Sequence, residues 1–241
     1  MCYISILYII NTIILEIMDY QVNYHQIANN YGYSLIKIPQ EVMSELKMII
    51  DKQLITNFKN YIPYNDKLAG EIKHEYKIQP GPNLISLLKA CNRDFDSHFG
   101  FYKKYFDHHH LNFSPSQKIP MNMDDHVWVN FQKKHEYNPT HRHNGVMSWV
   151  IWYQVPYTLE NEIKQSYKSN PDATPHGDFS FVYNHPSFGL TTTQLKVDKK
   201  AEGFMAMFPS SLNHQVFPFY TSDDYRITIA GNLVLELNKL I

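Results

Sequence analysis

Near residue 125 the hydrophobic periodicity of the chain changes, and this change constrains the fold more than any other feature. Before it, apolar residues recur at helical spacing. In Pro39–Phe58 the residues Val42, Leu46, Ile49, Ile50 and Leu54 share a face, and Pro39 with Glu41 suits a first turn. A second helix is expected from about Asn83, with Leu84, Leu87, Leu88, Cys91 and Phe95 on one side. Residues 60–82 carry Pro63, Gly70, Pro80, Gly81 and Pro82 and read mainly as loop, as do residues 111–125. After that the pattern is of strands: 127–131, 146–155, 179–183, 191–197, 203–208, 215–219 and 226–235. Helices first and then seven short strands broken by turn signals predict a mainly-β sandwich or jelly roll, with the N-terminal helices packed on one sheet.

With 241 residues, no internal repeat and no linker, residues 18–241 read as one domain with its β core at about 125–236. Residues 1–17 form an apolar run unlike the rest of the chain. It lacks the positive start and small-residue cleavage site of a signal peptide, and Asn11, Thr12 and Glu16 interrupt it as a membrane span. It reads instead as a peripheral strand or helix, or as an extension ahead of a start at Met18. The net charge of -1 gives no bulk attraction to nucleic acid or to an anionic membrane. Two cysteines, Cys2 and Cys91, allow no disulfide framework, which suits a reducing, cytoplasmic compartment.

The chain holds 13 histidines, so a single one says little and only a constellation counts. His141 and His143 stand two residues apart at the mouth of the apolar run Val146–Val155. In an extended chain both imidazoles reach one point in space. Imidazole is the commonest protein ligand for divalent transition metals. A third candidate, His214, follows a turn and precedes another apolar strand. Arg226 opens the last long strand, where burying an arginine is costly unless it meets an anion. Its planar fork can grip a carboxylate at two points; an internal salt bridge to Asp223 or Asp224 is the structural alternative. His108-His109-His110 reads as a surface cluster, because consecutive side chains diverge.

The order His-x-His, then a His before a strand, then an Arg opening a strand resembles the 2-oxoglutarate/Fe(II)-dependent dioxygenases. The resemblance covers about residues 125–236. It includes Trp128-Val-Asn-Phe131, His141-Arg-His-Asn-Gly145 leading into Ser148-Trp-Val-Ile-Trp-Tyr153, Phe208-Pro-Ser210, His214-Gln-Val216 and Arg226-Ile-Thr-Ile-Ala-Gly-Asn232. These phrases look like the oxygenase subfamily common in phages and marine microbes, related in fold to prolyl hydroxylases.

The resemblance implies a double-stranded β-helix with iron at its open end. His141 and His214 match the family's two histidines. Arg226 matches the residue that pairs with the distal carboxylate of 2-oxoglutarate, with Thr228, Asn130 and Tyr153 as further cosubstrate contacts. One departure stands out: His143 occupies the position where most relatives carry Asp or Glu. Either iron rests on three imidazoles, His141, His143 and His214, or a carboxylate such as Glu136 or Asp178 completes the set, or the site is degenerate. The implied reaction is the oxidative decarboxylation of 2-oxoglutarate to succinate, coupled to hydroxylation of a small-molecule or peptide substrate. It uses Fe(II) and O2, with ascorbate as an accessory reductant. Trp149, Trp152 and Phe217 are candidates to shape the pocket. Two other readings compete. One is a three-His cupin-like dioxygenase that does not use 2-oxoglutarate and has no need of Arg226. The other is a non-catalytic jelly-roll binding or structural protein.

Overall fold

The computed structural model describes residues 19–28, 31–59, 61–111, 121–122, 127–165 and 176–235. The apolar run 1–17 lies outside the described residues. Among the described residues, twelve strands form two antiparallel sheets. The larger has the order β1 (Val22–Ala28), β2 (Tyr31–Lys37), β10 (Phe204–Pro209), β7 (Met147–Gln154), β12 (Arg226–Leu235), β5 (Val127–Gln132), β3 (His74–Lys77), with β4 (Met121–Asn122) also paired to β12. The smaller has the order β6 (Asn138–His141), β11 (Asn213–Val216), β8 (Phe179–His185), β9 (Gly189–Leu195). This is the expected mainly-β, jelly-roll-like arrangement.

Strand parity sorts the side chains of the larger sheet. Val129, Phe131, Trp149, Ile151, Met205, Met207, Ile227 and Ile229 enter a core shared with the helices. Trp128, Val150, Trp152, Ala206, Phe208 and Ala230 enter a second core between the two sheets. Both faces of the central strands are therefore buried, which explains why β7 reads as a nearly continuous apolar run.

Helix α1 (Gln40–Ile55) buries Val42, Leu46 and Ile50, spaced four residues apart, and α2 (Pro82–Phe99) buries Leu84, Leu87, Leu88, Cys91 and Phe95. The start of α2 is satisfied from α1: the Glu45 carboxylate accepts from Asn83 N at 3.0 Å and Leu84 N at 3.1 Å. Gly100, at φ 57°, closes α2 in the left-handed region and opens α3 (Phe101–His108). At the end of α3 and just beyond it, His108, His109 and His110 are exposed. A fourth helix, α4 (Leu159–Gln165), lies in the connection from β7 to β8.

Several elements depart from the sequence expectation. Strands β1 and β2 precede the first helix, and β3 crosses the stretch read as loop. His141 ends a short strand of its own, β6, ahead of β7, and the strand expected at 215–219 runs from Asn213 to Val216. Among the described residues no helix is long and apolar enough to cross a membrane.

Candidate metal centre

His141 and His214 face each other directly across the β6–β11 pair at one end of the smaller sheet. His143 is not on the same strand as His141, contrary to the sequence expectation. It lies in the connection that carries the chain from the smaller sheet to β7, where its backbone N donates to Ser210 O at 3.1 Å. That connection turns at Gly145, whose φ of 139° and whose approach to Leu233 O leave little room for a side chain.

The result is a cluster whose three ligand atoms all lie within 4.8 Å of one another. His141 Nδ1 is 2.7 Å from Pro139 O and His214 Nδ1 is 3.0 Å from Leu212 O. Carbonyl oxygens only accept, so in both rings the proton is on Nδ1 and the Nε2 lone pair is free. A backbone partner that fixes the tautomer in this way is a common support for a metal-bound imidazole. His143 Nε2 lies 3.2 Å from His214 Nε2. Two nitrogens bound at about 2.1 Å to one ion, roughly at right angles, stand about 3 Å apart. The spacing of this pair therefore matches one shared divalent ion.

The surroundings keep the rings neutral. Phe179 stacks on His214 with centroids 5.4 Å apart, Phe208 meets it edge-on at 5.0 Å, and Trp128 lies 5.4 Å from His143. Burial lowers the basicity of all three. His143 is pushed down to about 4, first by burial and then by His141, and His214 is held well below the usual imidazole range for the same reasons. Neutral imidazoles are what a cation requires.

No carboxylate joins the cluster among the described residues. Asp178 is buried, but it pairs with Lys196 Nζ at 3.0 Å. Glu136 accepts from the backbone N of Lys133 at 2.8 Å and of Lys73 at 3.3 Å. Both are engaged elsewhere.

From the histidines a cavity runs between the sheets, and the even-numbered residues of β5 and β12 line it: Trp128, Asn130, Gln132, Arg226, Thr228 and Ala230. Asn130 Nδ2 donates to Thr228 Oγ1 at 3.3 Å, while Asn130 Oδ1 has no partner among the described residues. Tyr153 is a correction. It lies on the odd-numbered face of β7 and packs against the helix-side core, away from the cavity. Trp152 lines the cavity, whereas Phe217 offers only its carbonyl, to Arg226.

Arg226 is 1% exposed, and its environment differs from both sequence expectations. It has no salt bridge to Asp223, which pairs with Lys134 at 2.8 Å, nor to any other acid among the described residues. Its fork is also not open. The guanidinium donates to Gln132 Oε1, Tyr157 OH, Gly177 O and Phe217 O, all neutral acceptors. Sequence reasoning missed Gln132, Tyr157 and Gly177. Gln132 had a signal, as a polar residue on the same strand face as Asn130. Tyr157 and Gly177 lie outside the strands, in the connection from β7 to β8, where no periodicity points to Arg226.

Residues 126–232 match a family model described as "Putative 2OG-Fe(II) oxygenase". A prolyl-4-hydroxylase from Pseudomonas putida shares the fold with a TM-score of 0.50 and 12% identity, covering 85% of this chain and 92% of that one. An oxidoreductase of the 2OG-Fe(II) oxygenase family from Burkholderia pseudomallei is 10% identical with a TM-score of 0.36, covering 93% of this chain and 76% of that chain. No curated protein sequence matches significantly.

Proposed function

We propose that this chain, whose β core matches the 2OG-Fe(II) oxygenases, is a 2-oxoglutarate- and Fe(II)-dependent dioxygenase with a three-imidazole iron site. One observation carries the reading. Three neutral histidines converge at one end of a cavity, and a buried arginine without an anionic partner among the described residues lines the same cavity. A buried cation held only by neutral acceptors is costly, and an anion reaching it from the cavity offsets that cost. A dicarboxylate with its 2-oxoacid end toward the histidines and its distal carboxylate toward Arg226 meets both requirements. A three-His dioxygenase that does not use such an anion leaves Arg226 unexplained.

Iron bound there with 2-oxoglutarate and O2 supplies the oxidising chemistry: the cosubstrate is decarboxylated to succinate and a substrate C–H bond is hydroxylated. The protein's own residues position and shield. The Nδ1 bonds of His141 and His214 aim their Nε2 atoms. Asn130 and Thr228 offer polar contacts beside Arg226. Phe179, Phe208 and Trp128 exclude water around the imidazoles. Substrate enters from a second, open groove that shares Leu68, Trp128 and His143 with the cavity and is flanked by Lys67 and Arg142. The free thiol of Cys91 and a ferrous site both suit a reducing cytoplasm.

The test is succinate release from 2-oxoglutarate by the purified chain. Fe(II) and O2 are supplied, ascorbate keeps the iron reduced, and a panel of small-molecule and peptide substrates is screened. Succinate formed only with Fe(II), and lost in His214→Ala, supports the reading. Stoichiometric metal with no 2-oxoglutarate binding would point to the three-His alternative.

A further inference from the structure

We propose that Gln132 is an internal stand-in for the cosubstrate's distal carboxylate. Its amide oxygen occupies the carboxylate-receiving edge of Arg226, and 2-oxoglutarate binds by displacing it. The inference rests on the reading of the cavity as a 2-oxoglutarate site, and it adds a residue that sets how tightly that site holds its ligand.

A guanidinium has five N–H donors, and in Arg226 all five are used. Nη1 donates to Tyr157 OH at 2.7 Å and to Gly177 O at 2.5 Å. One Nη2 hydrogen goes to Phe217 O at 3.0 Å. Nε and the remaining Nη2 hydrogen converge on a single atom, Gln132 Oε1, at 3.1 and 2.6 Å. The Nε/Nη2 edge is one that the two oxygens of a carboxylate grip side by side.

The other acceptors are fixed. Gly177 is pinned by its N–H to Pro218 O at 3.0 Å and Phe217 by its N–H to Asp178 O at 2.9 Å. The Tyr157 hydroxyl is buried and donates onward to Gly177 O at 3.1 Å. Gln132 is the one acceptor of Arg226 that lines the cavity, and it does so beside Asn130 and Thr228. Among the described residues its side chain is otherwise tied only by Nε2 donating to Glu136 O at 2.5 Å. A carboxylate arriving from the cavity therefore reaches this charge by taking the place of Gln132 Oε1. It is favoured there because it adds the attraction of opposite charges and offers two oxygens to the Nε/Nη2 edge where the amide offers one.

Two variants test this. Gln132→Leu keeps the bulk and removes the competing oxygen. Gln132→Glu puts a permanent carboxylate on the fork. Calorimetric titration of 2-oxoglutarate into Mn(II)-loaded protein, with Mn(II) affinity measured separately, reads binding without turnover. The expected result is about tenfold tighter binding in Gln132→Leu, from removing a competitor for a charged donor. Binding in Gln132→Glu should be about a hundredfold weaker, with Mn(II) affinity unchanged in both variants. Gln132→Leu should also show a larger rise in melting temperature on adding 2-oxoglutarate. Equal or weaker binding in Gln132→Leu, with wild-type binding intact, overturns the displacement and leaves the proposed function standing. If neither wild type nor Gln132→Leu binds, the 2-oxoglutarate reading falls and the displacement falls with it. Should Gln132→Leu not fold, wild-type binding strength in Gln132→Glu is the overturning result.

Discussion

At the residue scale the centre depends on which nitrogen of each ring carries the proton. Backbone carbonyls at Pro139 and Leu212 place the protons of His141 and His214 on Nδ1, so the two Nε2 atoms are the ones available to a metal ion. His214 is the most deeply buried of the three, with its Nε2 3.2 Å from His143 Nε2 and its ring centroid 4.3 Å from that of His141. Replacing His214 with Ala should lower Mn(II) or Fe(II) affinity by more than about a hundredfold, since loss of a supporting outer-shell partner alone costs roughly 10–100-fold. Retained stoichiometric metal on elemental analysis would exclude it as a ligand. The same neutrality gives a pH signature in metal-free protein. His143 titrates near 4 in the fold and near 6.5 when unfolded. Between those values the unfolded chain binds the extra proton. Stability is therefore complete above about 6.5 and is lost as pH falls toward 4. Thermal melts of His143→Gln against wild type, with chelator present, should show a shallower decline from about pH 7 to about pH 4.5 in the variant. Parallel declines would place the acid sensitivity elsewhere.

At the element scale, strand parity decides what a residue can do. The even-numbered face of β5 and β12 meets the cavity, which puts Asn130, Thr228 and Arg226 where the sequence motif suggests. Tyr153, one residue out of phase on β7, is turned to the helices. The motif names residues, but only the register of β7 against β12 and β10 says which way each one points. Similarly, helices α1 and α2 were legible from apolar spacing and the long strands from their apolar runs. Strand β6 is four residues long with Pro139 inside it, and it becomes a strand only through pairing with β11. Strand β3 brings in a residue with no motif at all. Glu75 lies opposite Asn130, is 2% exposed, and has one oxygen without a partner among the described residues. Burial, with help from Glu136, raises its carboxyl from 4.5 to about 8. Below about 4.5 it is neutral in both states. As pH rises to about 8 the unfolded chain releases its proton first and stability falls. Glu75→Gln should match wild type near pH 4.5 and exceed it at pH 8 by roughly 1–3 kcal/mol, the scale of one unsatisfied buried polar group. Equal melting temperatures at about pH 8 would contradict this placement of Glu75.

At the scale of the whole molecule, the larger sheet is the common wall of two cores. One face holds the helices and the other holds the cavity. The smaller sheet brings His141 and His214 over that cavity, while Arg226 enters from the larger sheet. The site therefore exists only when the two layers are stacked. The helix junction is one support for that stacking through the wall they share. Glu45→Ala, which frees the first N–H groups of α2, should cost about 0.5–2 kcal/mol in a chemical melt. An unchanged midpoint would mean water caps the helix equally well.

The account's central claim is that the three imidazoles and Arg226 act on one ligand, and titration of 2-oxoglutarate with and without metal under anaerobic conditions tests it most directly. Fe(II)-loaded protein should bind one 2-oxoglutarate per chain. Metal-free protein and His214→Ala should bind it at least about tenfold more weakly, because the 2-oxoacid end has then lost its anchor. Binding of equal strength with and without metal, or no binding to the loaded protein, would contradict the claim.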